Sequence, residues 1–340
     1  MIKNISMHKY LVIILLCLVS GGFSYAQSIF PTKVDKLYGF VDKGGRQVVA
    51  PTYEKAFSSA GGLARVQKDG KYGFVNESGK IVIECKYDKA FDFSDGLAAV
   101  SEGGKWAFID NTGATKITPN CTQAHPFSEG LARLQNGAAV SFIDKTGKVV
   151  ITGAFTNAGD FSDGLAKVQQ NKKWGFVDKT GKFAVPLKYD AVLDFGDGLA
   201  PFLIGQEGTG KWGFIDKTGK EVIKPQFDKV FSFANGRACI RKGSAADGKY
   251  GFIDKTGNVV INADYDIAHT FSDGYACVGQ GQGTSKKYGY IDASGKVVIP
   301  KQYATPSDFE NGLAKVRQGD FKTGTEMYID KTGKVIWRQK

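Results

Sequence analysis

Few residues in this chain have side chains that could do chemistry, and nearly all of them recur at fixed intervals. Past the N-terminal stretch there are two histidines, His125 and His269. Both stand at one recurrent position, held elsewhere by Phe57, Phe91 and Phe231. A catalytic triad or a zinc site needs partners at suitable spacing, and neither histidine has them. They read as half-buried connector residues. An aspartate recurs ahead of Lys-Thr-Gly, as at Asp178 and Asp216. Calcium takes about six to eight oxygens, and each such turn offers one carboxylate, so turn capping is the better reading. The run Gly279-Gln280-Gly281-Gln282-Gly283 lies in a hairpin loop and not between a strand and a helix, which argues against a phosphate cradle.

Four cysteines follow the N-terminal stretch: Cys85, Cys121, Cys239 and Cys277. Cys121 takes a recurrent tyrosine position and reads as a small core hydrophobe. Cys239 and Cys277 hold one equivalent strand position in successive copies, on the face read as outward. Stacked coils would bring them within disulfide reach, whereas propeller blades would hold them apart; free thiols are the favoured state. Lysines recur at the turn (Lys145, Lys179, Lys217, Lys255 and Lys331) and again after its glycine (Lys148, Lys182, Lys220, Lys296 and Lys334). Along one edge of a regular stack they form a cationic ridge that could grip an anionic polymer through many weak contacts. The plainer account, which is favoured, is that they keep hairpin tips soluble and sheet edges unpaired. No polar cluster stands outside the repeat, so an enzyme is not expected, nor any cofactor or metal.

The elements that carry these residues are legible from the period. Phe40, Phe74, Phe108, Phe142, Phe176, Phe214, Phe252, Tyr290 and Tyr328 mark nine copies, spaced by 34 residues and then, after Phe176, by 38. The four added residues fall between a Gly-Leu-Ala-x-Val segment and the aromatic-Gly-Phe segment, which places them in a surface loop. A glycine closes the turn in every copy, from Gly45 to Gly333, as a hairpin residue with positive φ requires. Aspartate, or Asn76 in the second copy, opens it. Alanine recurs at 64, 98, 132, 166, 200, 238, 276 and 314, and its constancy predicts close packing against a neighbouring unit.

Each unit therefore reads as a three-stranded antiparallel meander with a connector anchored by two aromatics, such as Tyr189 and Phe195. Alone it is too small to be stable; stacked, it shares a core. The fold class is all-β, a tandem array of nine such units. Propellers typically have four to eight blades of four strands, so an open, curved β-array is preferred, with a closed, propeller-like toroid as the alternative. The first copy is truncated. The last, with Glu326-Met327 in place of the aromatic-Gly pair, reads as an atypical cap.

The N-terminus differs from the rest. Lys3 and Lys9 lead into an apolar run, Tyr10 to Val19, followed by Ser24-Tyr25-Ala26. That pattern predicts a secretory signal peptide over residues 1–26, cut between Ala26 and Gln27, with the array as one unit over 27–340. The run is shorter than the roughly twenty residues of a membrane span. Cys17 follows Leu16, which does not suit lipid attachment. The full chain carries a net charge of +11. Removal of two leader lysines leaves 43 basic against 34 acidic residues, or +9.

The phrase [WY]-G-F-[IV]-D-K-T-G-K, with F-S-D-G-L-A about twenty residues later, resembles the bacterial WG-repeat family over essentially the whole of 27–340. Trp106-Ala107, Val140-Ser141 and Glu326-Met327 depart from it. The resemblance implies β-rich, often exported modules and supplies no catalytic residue. The expected function is non-catalytic: a binding or scaffolding protein of the bacterial envelope or exterior, periplasmic or secreted. Its ligand would be a protein or an anionic envelope polymer; no nucleic-acid partner is expected. The alternative is carbohydrate binding through exposed Trp106, Trp174 and Trp212.

Overall fold

The computed structural model describes residues 28–206 and 208–339. The leader and its cleavage site, Ala26 and Gln27, lie outside the described residues. The rest forms nine antiparallel sheets, seven of four strands and two of three. The fifth sheet is typical. A two-residue connector strand, Asn157–Ala158, pairs with an alanine strand, Leu165–Gln170. An aromatic strand, Lys173–Asp178, and a return strand, Phe183–Tyr189, complete the meander. The unit thus has four strands where three were expected, because the connector itself turns back and pairs. The device is the Ser-Asp-Gly-Leu stretch. Asp163 (φ 53°) and Gly164 (φ 85°) are both left-handed, and Ser162 bridges Leu165, the geometry of a two-residue I′ hairpin.

Both broad faces of every sheet are buried against a neighbour. In the seam between the fifth and sixth sheets, Leu165, Phe176, Val185 and Tyr189 meet Val192, Phe195, Ala200, Phe202 and Ile215. The core aromatic of one sheet packs edge-to-face on the connector aromatic of the next. Seven such pairs, from Phe74–Phe93 to Tyr290–Phe309, have ring centroids 4.7–5.3 Å apart. All eight recurrent alanines are fully buried, as their constancy predicted. The residue after each alanine points into the opposite seam, so it is not outward. Cys239 and Cys277 are accordingly buried, each in a different seam, and both are free. Their disulfide is not formed, because successive sheets hold equivalent positions on separate interfaces. Cys121 is half-buried against the core of its seam, as expected of a small hydrophobe.

The array is closed, which corrects the open-array expectation. In each seam the turn glycine of one sheet lies on the return strand of the sheet before it: Gly219 on Val185, Gly257 on Ile223, Gly333 on Ile299. Gly45 of the first sheet lies in the same way on Ile336 of the ninth. The closing seam contains Phe30, Val41, Leu313 and Tyr328. Phe30 stands where other sheets have the small alanine and reaches Tyr328, ring centroids 5.6 Å apart. The first sheet has no connector strand among the described residues, and side chains of the ninth take over its hydrogen bonds. In the second sheet, carbonyls of Arg65 and Gln67 accept from connector amides. The equivalent carbonyls, Pro31 and Lys33, accept from Tyr328 Oη at 2.8 Å and Gln339 Nε2 at 3.1 Å.

The Trp/Tyr-Gly pair also has a structural cause. Six sheets carry the glycine, and in each of them three return-strand residues bulge past it, as between Trp212↔Phe227 and Phe214↔Ile223. A Cβ on Gly213 would stand 2.5 Å from the Ile223 carbonyl oxygen. Ala107, Ser141 and Met327 occur where the return strand is only three or four residues long and makes no such bulge.

Two predictions follow from this architecture. Gly213→Ala should lower stability by about 2 kcal/mol or more, as overpacking does, whereas Ala107→Gly should cost only about 1 kcal/mol. Denaturant midpoints would show the contrast, and equal losses would contradict the bulge account. For closure, Lys33→Cys with Gln339→Cys should be joined by a short bismaleimide within a single chain. An open array would give no intramolecular product.

Candidate functional site

Antiparallel order puts the acidic Ser-Asp-Gly loops and the Asp-Lys-Thr-Gly turns on one face of the ring. The hairpin loops and the sheet-to-sheet crossings lie on the other. On the turn face one oxygen of each turn aspartate is engaged by its own turn. Asp178 Oδ1 accepts from Thr180 N (2.9 Å), Thr180 Oγ1 (2.6 Å) and Lys182 N (3.1 Å). The Thr180 hydroxyl and these amides hold its carboxyl below the usual range, and Asp144, Asp216 and Asp254 are held down by the same bonds. Each such turn offers calcium at most its remaining Oδ2, and among the described residues no three ligand side chains converge on a metal position.

The loop acids clasp the next sheet. Asp163 Oδ2 accepts from Gly198 N, and Asp197 Oδ2 from Gly236 N, both at 2.6 Å. Some turn lysines then return to these loops. Lys179 pairs with Glu129 (3.3 Å), Lys331 stands 4.0 Å from Asp273, and Lys145 Nζ donates to the Asp95 carbonyl at 2.6 Å. Three of the turn lysines are thus already engaged by the protein itself. Lys217 and Lys255 are exposed, with no acid within ion-pair reach among the described residues.

The opposite face is clasped just as regularly. Asp190, at a crossing, takes Lys173 Nζ of the sheet before it (2.6 Å) and Gly205 N of the sheet after it (2.9 Å). Asp88, Asp228 and Asp266 repeat this with Lys71, Lys211 and Lys249. The Asp266 carboxylate also accepts the Gly281 amide at 2.6 Å, so the glycine-rich run is already engaged by an anion of the protein itself.

The remaining candidates are structural as well. His125 Nδ1 is 3.0 Å from Arg133, and burial with the Arg133 charge pushes the imidazole pKa down. His269 Nδ1 lies 2.8 Å from Asp308 of the next sheet, and the two histidines never meet. Burial pushes the Cys239 thiol up to about 12 and raises Cys277 also, so neither is a ready nucleophile. Trp106 and Trp212 are buried and Trp174 is half-buried, with Trp106 Nε1 donating to the Thr122 carbonyl at 3.0 Å. They are seam residues and offer no stacking platform for a sugar.

Sequence reasoning missed the one place where the repeat is broken. A cavity of about 540 Å³ lies at the closing seam, between Phe30 and Pro31 of the first sheet and Leu313, Lys315 and Tyr328 of the ninth. Ser58, Ser272, Ser307, Asp308, Phe309 and Glu310 complete its wall. The signal was present in Phe30, the single bulky residue at the alanine position.

Fold and site together define a nine-bladed β-propeller whose repeated polar groups serve its own seams. Eight stretches match the model of the WG containing repeat: residues 38–72, 72–106, 106–138, 141–174, 174–207, 212–244, 250–282 and 288–320. The chain belongs to the WG containing repeat family. A crystal structure of a eukaryotic initiation factor is similar with a TM-score of 0.66 at 14% identity, covering 92% of this chain and 96% of that one. The Kluyveromyces lactis Hsv2p structure gives a TM-score of 0.40 at 10% identity, over 82% and 93% of the two chains. At 14% identity the likeness to the initiation factor is one of fold. No curated protein matches the chain.

The turn aspartates give a pH prediction. Their folded pKa values lie below the unfolded ones, so their stabilisation is complete above about pH 4 and is lost as pH falls below it. The thermal midpoint should fall gently as pH drops below about 6.5, where the depressed pKa of His125 makes the folded state resist its protonation, and steeply below about pH 4 as the turn carboxylates protonate. A midpoint that does not steepen below pH 4 would contradict the turn-capping account.

Proposed function

We propose that this chain is a non-catalytic binding or scaffolding protein of the bacterial envelope or exterior, exported through its leader. Its turn face takes an anionic envelope polymer. The observation that carries this reading is the exposed pair Lys217 and Lys255 on adjacent sheets, free of any acid in ion-pair reach among the described residues and flanked by exposed Lys182 and Lys220. Lys145, Lys179 and Lys331 are tied to loop groups, which leaves Lys217 and Lys255 as the free members of the named turn lysines. A row of point charges at a fixed spacing grips a polyanion by summing weak contacts, and such binding is screened by salt. The regular use of the repeated acids as clasps supports a non-catalytic role, because those groups already have structural work. Carbohydrate binding through the tryptophans has less support, since they are turned into the seams.

Co-sedimentation of residues 27–340 with isolated cell envelope tests this. Binding should be strong at low salt, vanish at high salt, and fall sharply in the Lys217→Glu, Lys255→Glu double variant. Salt-resistant binding would point to a protein or glycan and reject the polymer. No binding at either salt would reject the envelope ligand altogether.

A further inference from the structure

The two histidines hold one repeat position in different surroundings, and the difference opens a cavity beside the second. Between the third and fourth sheets the connector rings are packed together. Phe91 stacks on Trp106, centroids 6.0 Å apart, and meets His125 at 6.1 Å. Arg133, the residue after the recurrent alanine, lies 3.0 Å from His125 and 3.0 Å from Asp160 of the next sheet. Its guanidinium therefore stands between the imidazole and the carboxylate, and the imidazole stays against Phe91.

Four sheets further on, the positions of Phe91, Trp106, His125, Arg133 and Asp160 are held by Phe231, Tyr250, His269, Cys277 and Asp308. Cys277 is buried and too short to stand between the other two. His269 Nδ1 and Asp308 therefore bond directly at 2.8 Å, which commits the imidazole to the ninth sheet. Among the described residues no ring contact joins Phe231 to Tyr250 or to His269. A cavity of about 350 Å³ lies there instead. Phe231, Tyr250 and Ile267 wall it, Lys229 stands on its seventh-sheet side, and His269 and Asp308 stand on its eighth- and ninth-sheet side. The space follows from cysteine in place of arginine, a difference between two described seams.

The polar groups of the wall are partly unspent. A carboxylate only accepts, so Nδ1 of His269 carries the proton shared with Asp308, and in the neutral ring Nε2 remains an acceptor. Lys229 Nζ lies over the Phe231 ring, 5.1 Å from its centroid, with no acid in ion-pair reach among the described residues. We propose that this cavity binds a small planar hydroxyaryl carboxylate. Its ring takes the place that stacked rings take between the third and fourth sheets, its carboxylate meets Lys229, and its hydroxyl donates to His269 Nε2. Asp308 stands two sheets from Lys229, beside the donor end of such a ligand, so it favours the hydroxyl and does not oppose the anion. The volume and the mixture of aromatic wall with a few polar groups are those of a small-molecule site. The cavity adjoins the crossing residues Asp228 and Asp266, on the face opposite the turn lysines, and does not depend on them.

The test is calorimetric titration of 4-hydroxycinnamate into residues 27–340, which contain the whole ring, at neutral pH. Saturable 1:1 binding is expected. Cinnamate, which lacks the hydroxyl, and 4-hydroxycinnamyl alcohol, which lacks the carboxylate, should each bind about tenfold more weakly, the loss of one hydrogen bond or one charge-assisted contact. Lys229→Gln should weaken the acid by a similar factor and leave the alcohol unchanged. His269→Phe should abolish binding, because the new ring would stack on Phe231 and fill the cavity. Phenylalanine already stands at this position as Phe57, Phe91 and Phe231, so the fold should survive, and an unchanged thermal midpoint would show it. Should that variant not fold, the exposed Lys229 and the two analogues still decide the question. The Lys217→Glu, Lys255→Glu double variant should bind as the parent does, which separates this site from the polymer reading. No saturation, undiminished binding in folded His269→Phe, or equal affinity for the acid and the alcohol would overturn the proposal.

Discussion

The contact on which the molecule depends is the seam between successive sheets. Each sheet buries both broad faces, one under the connector aromatic of the next sheet and one under the leucine and core aromatic of the sheet before. A unit with two apolar faces cannot end without exposing one of them, and exposing a large aromatic-lined face costs several kcal/mol. An open array therefore needs polar caps at both ends. The described residues include none: the ninth sheet still presents Leu313 and Tyr328, and the first still presents Phe30 and Val41. Closing the ring lets each terminal face cover the other. The unusual Glu326-Met327 sequence, read as a cap for an end, belongs to a seam.

The same constraint explains where the polar residues went. Nine seams must be held in register as well as buried, and an apolar interface alone tolerates sliding. The loop acids bind glycine amides of the next sheet on one face, and the crossing aspartates bind a lysine behind and an amide ahead on the other. These bonds are short, charge-assisted and directional, which is what register requires. The consequence for function is that conserved-looking polar motifs within the repeat are poor guides to a site. Only groups that the seams leave over, such as Lys217 and Lys255, are available to anything else.

Much of this was legible in the sequence, and what was not has definite causes. Period, turn and alanine packing could be read because each is a local requirement: Gly219 needs φ of 81° whatever surrounds it. The fourth strand was missed because two residues, such as Asn157–Ala158, carry no alternation to detect, although the Asp163-Gly164 dipeptide after them was a turn signal. Cys239 was misplaced because strand alternation assigns faces but does not say that both are covered. The open array was preferred on strand count and blade number, neither of which measures the wedge between sheets. Ring closure is a sum over nine such wedges, and no single repeat contains it.

Phe30 shows how closure is encoded all the same. The recurrent alanines are fully buried in their seams, as Ala98 is beside Phe93; here the connector aromatic is absent among the described residues, and the Phe30 ring goes partway to fill the space. It does not fill it completely. Tyr328 keeps its hydroxyl on a backbone carbonyl, where the phenylalanines of most sheets have no polar atom to place, and its ring meets Phe30 at a wider separation than the regular pairs show. Pro31 and Lys33 have their exposed carbonyls capped by side chains, which protects a bare strand edge from indiscriminate pairing. An edge closed to backbone ladders beside a cavity open to side chains is a selective arrangement. It rejects the pairing of strands in general.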